Sequence, residues 1–190
     1  LDPAEASGSD SITIYYTMFD GLYKYDKTDQ PQLDLAAAPP TISADGKTWT
    51  FSLRKDVLFS NGMPMTADDV KYSMLRMLDP KLGPPVSYCE TSMDIYQGSH
   101  DFITGKAKDV SGIQVIDPYT IRFVLASPLS IFPFYLAEGC NFVVPKAVAS
   151  TETESQLSNH PIGTGPYMLQ SYQKGVPPTF VKNPHYYLKA

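Results

Sequence analysis

A chain of 190 residues, 43% apolar and 18% charged, has an ordinary globular composition and room for one domain or two small lobes. A formal charge of −5 and a pI near 5.1 exclude the basic footprint that nucleic-acid binding requires. No run of about eighteen apolar residues occurs, so no segment reads as a membrane-crossing helix.

Ile12, Tyr15, Tyr16 and Phe19 recur at i, i+3, i+4 and i+7, with Ser9 or Asp10 placed to cap, which predicts a short helix after an opening loop. Gly21 to Tyr25 alternates as a strand. Gln30 to Pro40 reads as a connector closed by Pro39-Pro40, a pair that forbids helix. Trp49, Phe51 and Leu53 alternate with Thr50 and Ser52, predicting a strand over 48–54 with one buried face. Asn61-Gly62 marks a tight turn. Thr66 is placed to cap a helix over 66–78, and Asp68 and Asp69 put negative charge at the positive end of its dipole. Val70, Met74, Met77 and Leu78 form the apolar stripe of that helix, and Pro80 closes it.

Gly83-Pro84-Pro85 makes 81–91 an irregular loop, and a weak helical pattern covers 95–104. Ile113 to Ile116 and Thr120 to Leu125 flank Asp117-Pro118-Tyr119 as a hairpin. Ser130 to Ala137 reads as a short helix carrying Phe132, Tyr135 and Leu136. Phe142-Val143-Val144 reads as an apolar strand broken by Pro145. Residues 150–160 are polar and at best weakly helical. Gly163-Thr164-Gly165-Pro166 is a turn that leads into strands at 167–172 and 179–182. The sum is an α+β chain, mixed β-sheet with short helices and no internal repeat.

Seventeen prolines imply many short elements joined by rigid turns. Thirteen tyrosines supply rings with polar tips, read mainly as half-buried structural residues rather than a stacking surface. Cys89 and Cys140 fit no metal-ligand spacing. In an exported protein an even count permits a disulfide, and the other reading is two buried thiols.

The stretch from Asp45 to Pro80, DGKTWTFSLRKDVLFSNGMPMTADDVKYSMLRMLDP, is more specific than its strand-turn-helix physics. It resembles the extracellular solute-binding proteins of family 5, the large three-lobed receptors that feed ABC importers of peptides, dipeptides and nickel. Leu1-Asp2-Pro3 is similar to the family's opening, and Phe19-Asp20-Gly21-Leu22-Tyr23-Lys24-Tyr25-Asp26 to its F-(D/E)-G-L-Y-x-Y-D. Val110-Ser111-Gly112-Ile113 through Asp117-Pro118-Tyr119-Thr120-Ile121-Arg122-Phe123 is similar to its central hairpin. Val144-Pro145-Lys146, Pro161-Ile162-Gly163-Thr164-Gly165-Pro166-Tyr167 and Lys182-Asn183-Pro184-His185-Tyr186-Tyr187 complete the series in family order.

The resemblance implies a periplasmic-binding-protein type II-like fold, with 1–19 and 146–190 in lobe I, 20–145 in lobe II, and lobe III outside these residues. It implies export to the periplasm or cell surface. The first residues show neither a basic n-region nor an apolar h-region, so the implied signal sequence lies elsewhere. Its implied partners are a small peptide or similar solute and the ABC permease subunits, with no cofactor.

Three scattered histidines, His100, His160 and His185, lack the short spacing of metal ligation, and no hydrolase, phosphate-loop or dinucleotide motif occurs. Asp68-Asp69 is explained by its place in a helix first turn. The chain therefore reads as no enzyme and no metal protein.

By resemblance, an extended ligand pairs with lobe I backbone at Ser7-Gly8-Ser9, where small residues let another backbone approach. The competing reading is an ordinary surface loop. By the same resemblance Val86, Ser87 and Tyr88 form a second cleft wall. Val86 stands where relatives of longer-peptide specificity carry an aromatic, with Tyr88 as a substitute. The 163–166 turn is read as mainly structural. Besides the importer receptor, a regulatory or scaffold role in the cell envelope on the same fold is the alternative reading.

Overall fold

The computed structural model describes residues 2–3, 9–82, 94–173 and 176–188. Helix α1 (Ser9–Met18) is followed by a hairpin of β1 (Tyr23–Tyr25) and β2 (Pro31–Leu33). Then come β3 (Thr41–Ile42), β4 (Thr48–Ser52), α2 (Ala67–Leu78), α3 (Ser99–Ile103), β5 (Ile113–Asp117) and β6 (Thr120–Val124). Short helices α4 (Phe132–Leu136), α5 (Lys146–Ala149) and α6 (Glu154–Asn159) precede the hairpin of β7 (Tyr167–Gln173) and β8 (Val176–Lys182). This is the α+β arrangement expected, and each strand pairing in the described residues is antiparallel.

The central sheet has the order β3-β4-β6-β5. Its register sets Trp49 opposite Phe123 and Phe51 opposite Ile121, so the alternating side chains of β4 and β6 reach one buried face together. Phe132 of α4 closes over that face. Its ring centroid lies 5.4 Å from Trp49, 5.6 Å from Phe123 and 6.1 Å from Tyr96. Val70, Met74, Met77 and Leu78 of α2 are buried against the same core, as their spacing predicts.

A second, smaller core collects Tyr15, Met18 and Phe19 from the α1 end with Phe142, Val144, Ala149 and Leu157. The polypeptide thus leaves one core near residue 20 and rejoins it near 144.

Helix α2 begins as a bracket. Asp69 Oδ2 accepts from the Thr66 amide and hydroxyl, each at 2.8 Å, and Asp69 Oδ1 accepts from the Lys146 amide at 2.9 Å. The acid expected to complement a dipole also ties α2 to the start of α5. Asp69→Ala is expected to lose about 1.5–3 kcal/mol of folding stability, measured by urea denaturation, because two backbone donors lose a charged acceptor.

Several local expectations change. Phe142-Val143-Val144 is buried and extended but belongs to no strand. Its amides donate to the Gly139 carbonyl (from Phe142, 3.3 Å), the Asp20 carbonyl (from Val143, 3.0 Å) and the Ser73 hydroxyl (from Val144, 2.9 Å), which form no ladder. The connector at 30–40 contains β2. Strand β8 begins at Val176 and admits Pro177 and Pro178 because the register shifts between Ser171 and Gln173, where neither proline is a paired position. Residues 153–159 form a capped helix: the Gln156 amide donates to Thr153 Oγ1 at 3.3 Å, and Gln156 Oε1 accepts the Thr153 amide at 2.9 Å. Cys140 is disulfide-bonded, and the other cysteine of the chain, Cys89, lies outside the described residues.

Candidate functional site

Three segments far apart in sequence meet at the seam between the two cores: 18–24, 163–167 and 183–187. The turn at 163–166 is pressed onto the end of α1. The Gly165 amide donates to the Met18 carbonyl at 2.9 Å. A Cβ at Gly163 would stand 2.1 Å from Met18 O, and one at Gly165 2.5 Å from Met18 C, so backbone contact this close admits glycine alone. The Asn183 side-chain amide donates to Gly165 O at 2.8 Å and its backbone amide to Pro166 O at 2.8 Å. Its Oδ1 accepts the His185 amide at 2.9 Å. Asn183 is therefore a clamp that holds the turn at one end of β8.

The polar centre of the seam is acidic. Thr164 Oγ1 donates to Asp20 Oδ2 at 3.0 Å. Asp34 Oδ1 accepts from Lys24 Nζ at 2.9 Å and from the Tyr187 hydroxyl at 2.6 Å. The Arg54 guanidinium lies over the Tyr187 ring, 4.8 Å from its centroid, and pairs with Asp56 at 2.8 Å. Burial first, and the neighbouring Asp34 charge second, push the Asp20 carboxyl up to about 7. Burial, then the charges of Asp20 and Asp34, push the Tyr187 phenol up as well.

A hollow of about 460 Å³ opens beside this cluster, lined by Tyr16, Phe19, Asp20, Lys24, Tyr25, Asp29, Asp34 and Phe142. Tyr25 is fixed at its rim by donating to Glu138 Oε1 at 2.7 Å. Rings and carboxyls of this kind can hold a small polar molecule without covalent chemistry.

A second clasp joins the cores on the far side of α2. Arg76 and Asp2 form a bidentate ion pair, Nη1 to Oδ1 and Nη2 to Oδ2, with side chains 8% and 1% exposed. The Ser73 hydroxyl beside it donates to Asp69 O at 2.8 Å.

Of the residues expected to contact ligand, Ser9 is the first residue of α1. Ser7, Gly8, Val86, Ser87 and Tyr88 lie outside the described residues. The 163–166 turn has the structural part read from its sequence. Sequence reading missed Asp34 and the Asp2–Arg76 pair. Nothing in the pattern of a polar connector marks one acid for burial, and a pair of residues this far apart leaves no periodic trace. Among the described residues no group of three or more His, Cys, Asp or Glu side chains is placed to hold a metal.

Residues 30–190 match the family described as bacterial extracellular solute-binding proteins, family 5 Middle. The chain is 31% identical to the periplasmic murein peptide-binding protein MppA of Escherichia coli K12, covering 98% of this chain and 34% of that protein. It is 33% identical to Protein XP55 of Streptomyces lividans, covering 98% and 30%. It therefore spans about a third of the length of these curated relatives. Among solved structures, Listeria monocytogenes OppA bound to peptide superposes with a TM-score of 0.88 at 28% identity, over 98% of this chain and 37% of that one. Haemophilus influenzae OppA in complex with RPPGFSPFR gives 0.89 at 26% identity, over 98% and 36%.

Proposed function

The chain belongs to the bacterial extracellular solute-binding proteins of family 5, and from that premise we propose that it is part of the solute-capturing subunit of an ABC importer, with a peptide as its solute. The observation that carries the reading is the superposition of nearly the whole chain, at a TM-score of 0.88, on a relative described as bound to peptide. The protein then works outside the cytoplasm, in the periplasm or at the cell surface, and its membrane partner is the permease. It is a binding protein rather than an enzyme.

In this reading 1–19 and 146–190 belong to lobe I and 20–145 to lobe II. The two separate cores, one gathering the α1 end with 142–157 and the other running from Leu22 to Val143, support that division. Ser7, Gly8 and Ser9 offer backbone to an extended ligand, and Val86, Ser87 and Tyr88 form the opposite wall. Main-chain pairing gives affinity across many side chains, while pockets set preference. Capture is a closing motion, and ligand must bind the closed state more tightly than the open one for a transporter to tell loaded from empty receptor.

Titration calorimetry with a peptide library tests the reading on both the full-length protein and residues 1–190 alone. Binding by the full-length protein is expected, with weak or no binding by the 190 residues, which supply one jaw of the cleft. Micromolar affinity in the 190 residues alone would place the cleft elsewhere.

A further inference from the structure

The hollow beside the seam, about 460 Å³, is of a size to take a small molecule. Its polar wall carries a surplus of acceptors. Asp20, Asp29 and Asp34 line it against one cation, Lys24, and Glu138 stands at the rim where Tyr25 donates to it. The surplus stays negative even where the Asp20 carboxyl, raised to about 7 by burial and then by the Asp34 charge, holds its proton. An anionic ligand would be repelled here.

One acceptor goes further. Asp34 is 4% exposed, and its Oδ1 accepts from Lys24 and from the Tyr187 hydroxyl. Its Oδ2 is buried and has no hydrogen-bond partner. Buried oxygens are seldom left so, because each costs free energy until a donor reaches it. The polar groups nearby are engaged elsewhere. Lys24 Nζ lies 2.9 Å from Oδ1, the Tyr25 hydroxyl donates to Glu138, and the Tyr16 hydroxyl donates to the Ala137 carbonyl at 3.3 Å. Arg54 pairs with Asp56 and lies over the ring of Tyr187. A donor that arrives with a ligand supplies what Oδ2 lacks.

The remaining wall is aromatic. Tyr16 meets Phe142 edge to face at 5.0 Å, and Phe19 stacks on Phe142 at 6.2 Å. Ring faces attract a cation electrostatically and cover an alkyl chain.

We propose that the hollow binds an organic ammonium group, carried by a free small amine or by the lysine side chain of a peptide. Asp34 and Asp20 are its acceptors, and Tyr16, Phe19 and Phe142 surround its alkyl chain. A primary ammonium is the form required, because a quaternary one brings charge without the N–H that Asp34 Oδ2 lacks. The site is built from residues other than the proposed cleft walls, so it stands or falls separately from the peptide-capture reading.

The test is titration calorimetry of the full-length protein at pH 7 with pentylamine, against 1-pentanol and pentyltrimethylammonium as controls of the same chain length. Pentylamine is expected to bind with a dissociation constant of about 1 mM or tighter, and both controls at least about tenfold more weakly. Asp34→Asn is expected to weaken pentylamine binding by about tenfold or more. Lys24→Gln, at a partly exposed position, is expected to tighten it by about threefold, because a competing positive charge leaves the hollow. Opposite signs at the two positions are not what a general loosening of the fold produces. Selectivity for the tripeptide Ala-Lys-Ala over Ala-norleucine-Ala that Asp34→Asn abolishes assigns the ammonium group to a peptide side chain. Pentylamine binding without that selectivity assigns it to a free amine. Failure of pentylamine to bind the wild-type protein, equal binding of 1-pentanol, or an affinity unchanged in both variants overturns the proposal. A protein that fails in this way and still binds the peptide library keeps the solute-capture reading.

Discussion

Arg76→Ala is expected to destabilise the protein by about 3–5 kcal/mol, read from the urea midpoint at pH 7. The Asp2 carboxylate would stay in place with 1% of its side chain exposed and lose the fork that donates to both its oxygens. Most of the loss is the cost of a buried charge deprived of its bidentate donor rather than the worth of the pair itself. The two single variants, Asp2→Ala and Arg76→Ala, should therefore cost similar amounts. Replacing both partners by apolar residues of matching volume, as in Asp2→Leu with Arg76→Met, should recover much of the loss. Additive costs in the double variant would show that Arg76 acts mainly through other contacts.

Phe132→Ala is expected to cost a similar amount, about 3–5 kcal/mol, by a different route. The side chain is fully buried, and its ring meets those of Trp49, Phe51, Tyr96 and Phe123. Truncation removes the transfer energy of a phenyl group and leaves a cavity among four aromatic neighbours too rigid to collapse into it. Phe132→Leu keeps much of the volume and should lose about half as much. The fluorescence of Trp49, the single tryptophan of the chain and 5.4 Å from the Phe132 ring, reports the repacking directly. An alanine variant within about 1 kcal/mol of wild type would mean that α4 is not part of the cooperative core.

What could be read along the chain was whatever local chemistry fixes. Helix α2 was legible because its cap, its acidic first turn and its apolar stripe all point to one answer. The β4 and β5–β6 strands were legible from period-2 alternation. Short pieces were not. Strand β2 has three residues and opens with Pro31, and the turn before it is set by Asp26 Oδ1 accepting the Thr28 and Gln30 amides at 2.7 and 3.0 Å. Only its partner β1 makes it a strand. The 142–144 segment had the composition of a strand, yet its amides meet two scattered carbonyls and one hydroxyl instead of an edge. The capped helix at 153–159 did carry a readable sign, Thr153 followed three residues later by Gln156.

By itself the sequence determined the α+β class, the long amphipathic helix, the central hairpin and, through ordered motifs, the solute-binding family. Local periodicity and capping act within a few residues, so they survive in a linear reading. Tertiary structure alone decided what those motifs do: Gly163 and Gly165 are glycines because Met18 backbone lies against them, and Asp2 is buried because Arg76 meets it. It also decided that Asp20 and Asp34 are both buried and line the same hollow. The electrostatics of two acids depend on distance and dielectric, and both quantities exist only once the chain has folded.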